Sequence, residues 1–294
     1  QLPSDQLVAG FGDFAARPGA DDDSGLALRP VVGEGLVPTE PEEAVAAGAA
    51  ADLPLIIGTT RDESSFFAVG DERLRGIDSA GLHRWLRRLS PDPAVIEDLV
   101  STVTTVRRSR GEPTSPRDLW VAISSEFVFR VPTHRFAAGH VAAAAPGIET
   151  YGYLFTWESP AFGGSLGACH ALDLPFVFGT VHHPAVQTFS GSGEDVFALS
   201  SAMRASWTAF ARSSDPGGAG LNGGAGIAVA GVGLGRTGEG TSAPWSPWEA
   251  MRRSTTVLGP WPDDDLLARV VDDPRPEELD GTAAVLEEAR VAPR

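Results

Sequence analysis

Two residues of this chain are of the right type and in the right setting to move a proton. His170 stands on the tight turn Gly167-Ala168-Cys169, just before the apolar run Leu174-Pro175-Phe176-Val177-Phe178, which Gly179 ends. A turn that holds an imidazole in one place suits a general base, which must lie within hydrogen-bond reach of the proton it takes. The plainer reading is a partly buried polar residue, the commoner role of a turn histidine. Earlier in the chain, Leu53-Pro54-Leu55-Ile56-Ile57-Gly58 is a continuous apolar run between Pro and Gly. That pattern predicts a central strand buried on both faces. Thr59-Thr60-Arg61-Asp62-Glu63 follow at once. Chemistry in open α/β sheets gathers at the carboxyl ends of strands, which puts Arg61, Asp62 and Glu63 where an acid would act. The same residues also suit the polar first turn of a helix, where the dipole favours acidic side chains.

Other candidate motifs are weaker. Gly163-Gly164-Ser165-Leu166-Gly167 matches the G-x-S-x-G nucleophile elbow, but that elbow needs a strand, a turn and then a helix. The residues after Ser165 have no sustained helical period, and the order serine, acid, histidine fails, because Ser165 follows Glu63. We read the segment as a loop that lets the backbone turn toward His170. The Gly-x-Gly pairs of Asn222–Gly240 lack the lysine and flanking elements of a phosphate loop, so they predict a loop insert. Asp21-Asp22-Asp23 has no further oxygen ligands in register for calcium, and His182-His183 has no Cys or carboxylate at ligand spacing. No metal or cofactor is expected.

The elements that must position His170 and Glu63 alternate between strand and helix. Ser4 caps a short helix, and residues 17–25 are loop. Leu28–Val37 is a broken extended segment, and Glu40–Ala51 is an Ala-rich helix entered through Pro41. Ser79–Leu89 and Pro93–Val103 read as surface helices, with a polar loop over Arg107–Ser115. Pro116–Ala145 is a long helical stretch that Pro132 kinks; His134 and His140 on it face different sides and carry no evident role. Glu149–Trp157 alternates with aromatics as a second strand, and Glu194–Arg212 is an amphipathic helix. Ser254–Leu258 is a third strand, and the acidic tail from Pro260 ends in a helix near Thr282–Val291.

Taken together, three blocks resemble type-B carboxylesterases, the family of the cholinesterases and bacterial para-nitrobenzyl esterases. They are the segment from Glu34 to Phe67 centred on IIGTTRDESSFF, LGACHALDLPFVFGT, and SAMRASWTAFARSSDPGG followed by Pro244-Trp245-Ser246-Pro247 and STTVL. The resemblance implies an α/β-hydrolase fold, of which residues 1–294 would be the C-terminal part, with a central mixed sheet and flanking helices. It implies that Glu63 is the acid of a Ser-His-Glu triad and His170 its general base, with Phe66 and Phe67 lining the substrate pocket. The substrate implied is a small-molecule carboxylic ester. Ser64 stands where the family usually has glycine and is expected to crowd the turn; Asp173 replaces a common glutamate. The nucleophilic serine and the oxyanion donors belong to the family's N-terminal half, which this sequence does not match. The chain is therefore expected to need that half for activity and to expose an unpaired sheet edge without it. The alternative is a non-catalytic, cholinesterase-like scaffold or a degenerate fragment, with a binding role or none.

Composition bounds the rest. Hydrophobic content of 42% and charged content of 21% are those of an ordinary globular protein. The net charge is −16, and all 23 basic residues are arginine; such a surface repels phosphate backbones and argues against nucleic acid. No apolar span is long enough for a membrane helix. The start, QLPSDQLVAGF, has no initiator Met or leader pattern and reads as the interior of a longer polypeptide. A single cysteine, Cys169, forbids an internal disulfide and fits a reducing, cytoplasmic setting or a bacterial protein, with secretion left open by the missing start.

Overall fold

The computed structural model describes residues 3–15, 30–33, 35–217, 245–260 and 267–291. Among these residues four strands form one mixed sheet in the order β1-β2-β3-β4: β1 (Leu55–Thr60), β2 (Thr150–Phe155), β3 (Ser254–Leu258) and β4 (Ala268–Asp272). The first three are parallel and β4 is antiparallel to β3. Helices α1 (Ser4–Ala15) and α2 (Pro41–Ala46) precede β1. Six helices join β1 to β2: α3 (Ser65–Gly70), α4 (Glu72–Arg75), α5 (Ser79–Leu86), α6 (Pro93–Ser109), α7 (Pro116–Ser125) and α8 (Val131–Ala143). Among the described residues three more join β2 to β3: α9 (Leu174–Val177), α10 (Pro184–Ser190) and α11 (Glu194–Ser213); α12 (Pro276–Val291) follows β4. Parallel neighbours require such crossovers. Among the described residues no helix is long and apolar enough to cross a membrane.

Two cores flank this frame. Leu82, Leu86, Ile96, Leu99, Val103, Leu119, Ile123 and Val285 bring α5, α6, α7 and α12 together. Phe155, Leu166, Leu172, Phe176, Leu199, Met203 and Leu258 pack α9 and α11 against the sheet. Each is fed by the helical spacing of its apolar residues.

Several expectations change. The Leu53–Gly58 run becomes a strand shifted two residues onward, and β1 lies at an edge of the described sheet with its first four residues only half-buried. Its apolar run signalled burial on both faces, yet only β2 pairs with it among the described residues. The helix expected over Glu40–Ala51 ends at Ala46 and continues as turns. Helix α6 runs on to Ser109, because Arg107 turns inward to meet Glu112 at 3.0 Å instead of starting a loop. The acidic tail hides β4, whose Ala268–Asp272 pairs with β3. The described residues of Leu28–Val37 form no strand. The Asp21–Asp23 run and the Asn222–Gly240 insert lie outside the described residues.

Pro132 does interrupt its helix. Glu126–Arg130 forms a π-turn between α7 and α8. Of the two histidines beyond it, His140 ties α8 to the sheet, with Nδ1 2.7 Å from the Thr150 hydroxyl and Nε2 2.9 Å from the Leu53 carbonyl. His134 packs its ring edge-on to Trp248. Burial, aided by the charges of Arg130 and Arg253, pushes its pKa from 6.5 down to about 3.

That depression fixes a pH dependence. The unfolded chain takes up a proton at residue 134 near pH 6.5 while the folded chain does not, so the stability involved is present above 6.5 and is lost as pH falls toward about 3. We expect His134→Leu to lose less stability than the parent over that window, measured as thermal midpoint against pH. Parallel curves would mean that His134 is not buried neutral.

Candidate active site

The parallel register of β1 and β2 sets Thr60 opposite Phe155, so the segments leaving both strands emerge at one edge of the sheet. The first carries Arg61, Asp62 and Glu63 into α3. The second winds through a 3₁₀ turn, Ala161–Gly164, and reaches His170. The Arg61 N–H continues the ladder to the Phe155 carbonyl at 2.9 Å.

Asp62 joins the two segments twice. Its N–H donates to the Ala168 carbonyl at 2.9 Å, and its Oδ2 accepts the Ala168 N–H at 2.9 Å. Burial alone would raise this carboxyl, but the Arg61 guanidinium and the Ala168 N–H hold it below its ordinary value. Arg61 in turn reaches Asp62 at 2.8 Å and Glu158 at 2.6 Å. A further clasp comes from the Ser65 hydroxyl, which donates to the Leu166 carbonyl. Gly167 is required by space as well as by its φ of +56°, since a Cβ there would lie 2.5 Å from Asp62 Oδ2.

Held this way, Glu63 and His170 meet. The imidazole Nδ1 lies 2.7 Å from Glu63 Oε2, and Oε1 accepts the Thr60 N–H at 2.7 Å. Glu63 is buried, at 7% side-chain exposure, while His170 keeps 43%. Burial raises the Glu63 carboxyl above its ordinary value, against the opposing pull of the Thr60 N–H and His170. An ionised carboxylate can only accept, so Glu63 facing Nδ1 favours the tautomer in which Nδ1 is the donor. His170 Nε2 has no hydrogen-bond partner among the described residues. The next residue, Ala171, sits at φ +64°, a conformation that a residue with a Cβ adopts only under constraint.

Phe67 places its ring centroid 5.3 Å from that of His170, and Phe66 meets Phe67 edge-on at 5.7 Å. About half of each phenylalanine is exposed. Ser64 does not crowd the turn. It adopts ordinary right-handed backbone at φ −73°, donates its N–H to Ser125 Oγ at 3.0 Å and its hydroxyl to Ser124 Oγ at 3.1 Å, which pins α3 to the end of α7. Asp173 accepts the Tyr153 hydroxyl at 3.0 Å, and burial raises its carboxyl. The run Leu174–Phe178 is a short helix and not a buried segment throughout: Phe176 is fully buried, whereas Leu174 is 49% and Phe178 74% exposed.

Ser165 lies exposed beside the 3₁₀ turn, without the strand-to-helix bend of a nucleophile elbow. His182 lies flat on Phe197 at 4.3 Å, and His183 caps α10 by accepting the Ala185 N–H.

Against known proteins, the model of the carboxylesterase family matches residues 15–257. The chain belongs to that family. A phenmedipham hydrolase from Pseudarthrobacter oxydans is 28% identical over 193 residues, covering 65% of this chain and 36% of that protein. The para-nitrobenzyl esterase of Bacillus subtilis strain 168 is 28% identical over 197 residues, covering 65% of this chain and 35% of its own length. A solved PNB esterase structure superposes with a TM-score of 0.65 at 23% identity, over 96% of this chain and 48% of that one. The fold is therefore that of the α/β-hydrolases, and this carboxylesterase-family chain spans between about a third and a half of the length of these relatives.

The Asp62 clasp was not visible in the sequence as a contact, although an Arg-Asp pair directly before Glu63 is its trace. Asp62→Ala removes a charged acceptor from a partly buried N–H, which costs roughly 1.5–3 kcal/mol. Gly167→Ala forces a left-handed residue and pushes on the same carboxylate, costing at least about 1 kcal/mol. Denaturant unfolding of both variants measures this; changes within a few tenths would mean that the clasp does not hold the loops.

Proposed function

We propose that the chain carries the acid and base of an ester hydrolase that works through a Ser-His-Glu triad. The observation that carries this reading is the 2.7 Å contact between His170 Nδ1 and a buried Glu63. The family and the relatives named as hydrolases and esterases support it.

In this reading residues 1–294 form the C-terminal portion of one carboxylesterase domain, and the serine and oxyanion donors come from the portion of the domain this chain does not span. The serine oxygen attacks the ester carbonyl as His170 Nε2 takes its proton, and the Glu63 carboxylate holds Nδ1–H and stabilises the imidazolium. The same proton then passes to the leaving alcohol. Water repeats the steps in reverse to release the acid and restore the serine. Each oxyanion donor supplies roughly 2.7–4 kcal/mol to this path, so the chain by itself is inactive. Phe66 and Phe67 form apolar walls for a small carboxylic ester beside the base. Acyl transfer of this kind needs no cofactor.

The test joins the chain to the nucleophile-bearing portion of a homologous esterase and follows turnover of a short-chain aryl ester. His170→Ala should lower kcat by roughly 10⁴-fold or more, and Glu63→Gln by about 10⁴-fold. The unjoined chain should resist labelling by a fluorophosphonate, since Ser165 has no activating base in this reading. Unchanged turnover in His170→Ala, or labelling at Ser165, would overturn it.

A further inference from the structure

Two aromatic rings pack against the candidate base. Phe67 and Phe129 stack with centroids 6.5 Å apart and planes 15° from parallel. The His170 imidazole sits in the notch between them, 5.3 Å from each and tilted by 40° and 44°. Phe67 arrives on α3, four residues after Glu63. Phe129 arrives from another part of the chain, on the π-turn between α7 and α8.

The reason for that turn is in the sequence. Pro132 has no N–H for the Val128 carbonyl, and in a regular helix its ring would press on that oxygen. The chain widens the preceding turn instead, and the Val131 N–H reaches the Glu126 carbonyl. A π-turn adds one residue to the helix and re-aims the side chains around it. Glu126 and Arg130 both point inward, paired at 3.0 Å. Phe127 packs into the helical core, and Phe129 is left against the imidazole.

We infer that Phe129 is a positioning residue for His170: with Phe67 it fixes the rotation of the imidazole that keeps Nδ1 on Glu63 and leaves Nε2 open. The role rests on His170 acting as the base; the contact itself does not. The second side-chain torsion of histidine is broad, so one hydrogen bond at Nδ1 leaves the ring free to rock about that bond. Two near-parallel rings against it narrow the motion. His170 is 43% exposed, so the rest of its surface offers less restraint.

The experiment reads the imidazole in the chain as it stands, by NMR, with the His170 signals assigned by their loss in His170→Asn. Phe129→Leu should speed exchange of the Nδ1–H with water roughly two- to tenfold, the range an aromatic pair accounts for, and should widen ring motion seen in carbon relaxation. Phe129→Tyr keeps the ring and should stay at the parent values. Pro132→Ala lets the turn close back to ordinary α-helix and should behave like Phe129→Leu. If Leu at this position does not fold, Phe129→Met makes the same comparison. Parent-like exchange and relaxation in the Leu or Met variant would overturn the inference, as would a Tyr variant as disturbed as they are. No turnover is involved, so an inactive joined esterase would count against the proposed function while leaving this result to stand or fall separately.

Discussion

The doubled hydrogen bond between Asp62 and Ala168 is the constraint on which the candidate site depends. Parallel strands bring two loop segments to one edge of the sheet, but loops at a sheet edge are otherwise free to diverge. Asp62 prevents this with backbone and side chain at once, one residue before Glu63 and two before His170 in their respective segments. So short a lever leaves little room for error between carboxylate and imidazole. In the proposed triad a drift of an ångström would cost rate steeply, and the tolerance is set by a peptide group. Gly167 completes the fit, because only a residue without a Cβ leaves room for the Asp62 carboxylate.

Opposite charges are used differently farther from the site. Arg275 grips Glu112 through both terminal nitrogens at 2.8 Å and Glu278 through Nε at 2.6 Å, and Arg107 reaches Glu112 at 3.0 Å. This cluster ties the end of α6 to the start of α12. Buried ion pairs gain little net stability over apolar packing, but removing one member leaves an uncompensated charge. A chain of net charge −16 with no lysine thus reserves several of its arginines for internal clamps.

Much of the site could be read from the sequence because its two members sit on strong local signals. An apolar run bounded by Pro and Gly marked β1, and a Gly-Ala-Cys turn marked the bend before His170. Family blocks then linked them across more than a hundred residues, which no local pattern does. What stayed hidden was either tertiary or locally ambiguous. Strand β4 lay in an acidic stretch that composition disguised, since Ala268–Asp272 gains its strand character from pairing with β3 and not from an alternating pattern of its own. The edge position of β1 was illegible because an apolar run reports what a strand could bury, not which neighbours it has. Arg107 looked like the start of a polar loop and proved to be a buried clamp. Phe129 gave no signal at all: Pro132 announced a kink, but the direction of the displaced ring depends on how helix α8 meets the sheet.

Cys169 lies between these parts, directly before His170 and fully buried. Burial, with the nearby Glu63 and Asp62 charges, pushes its thiol up to about 12, so the closed molecule offers almost no thiolate at neutral pH. It is the one cysteine in the chain. Because the thiol is fully buried, a maleimide reaches it only when the structure around the bend opens, which makes the alkylation rate a built-in clock for that opening.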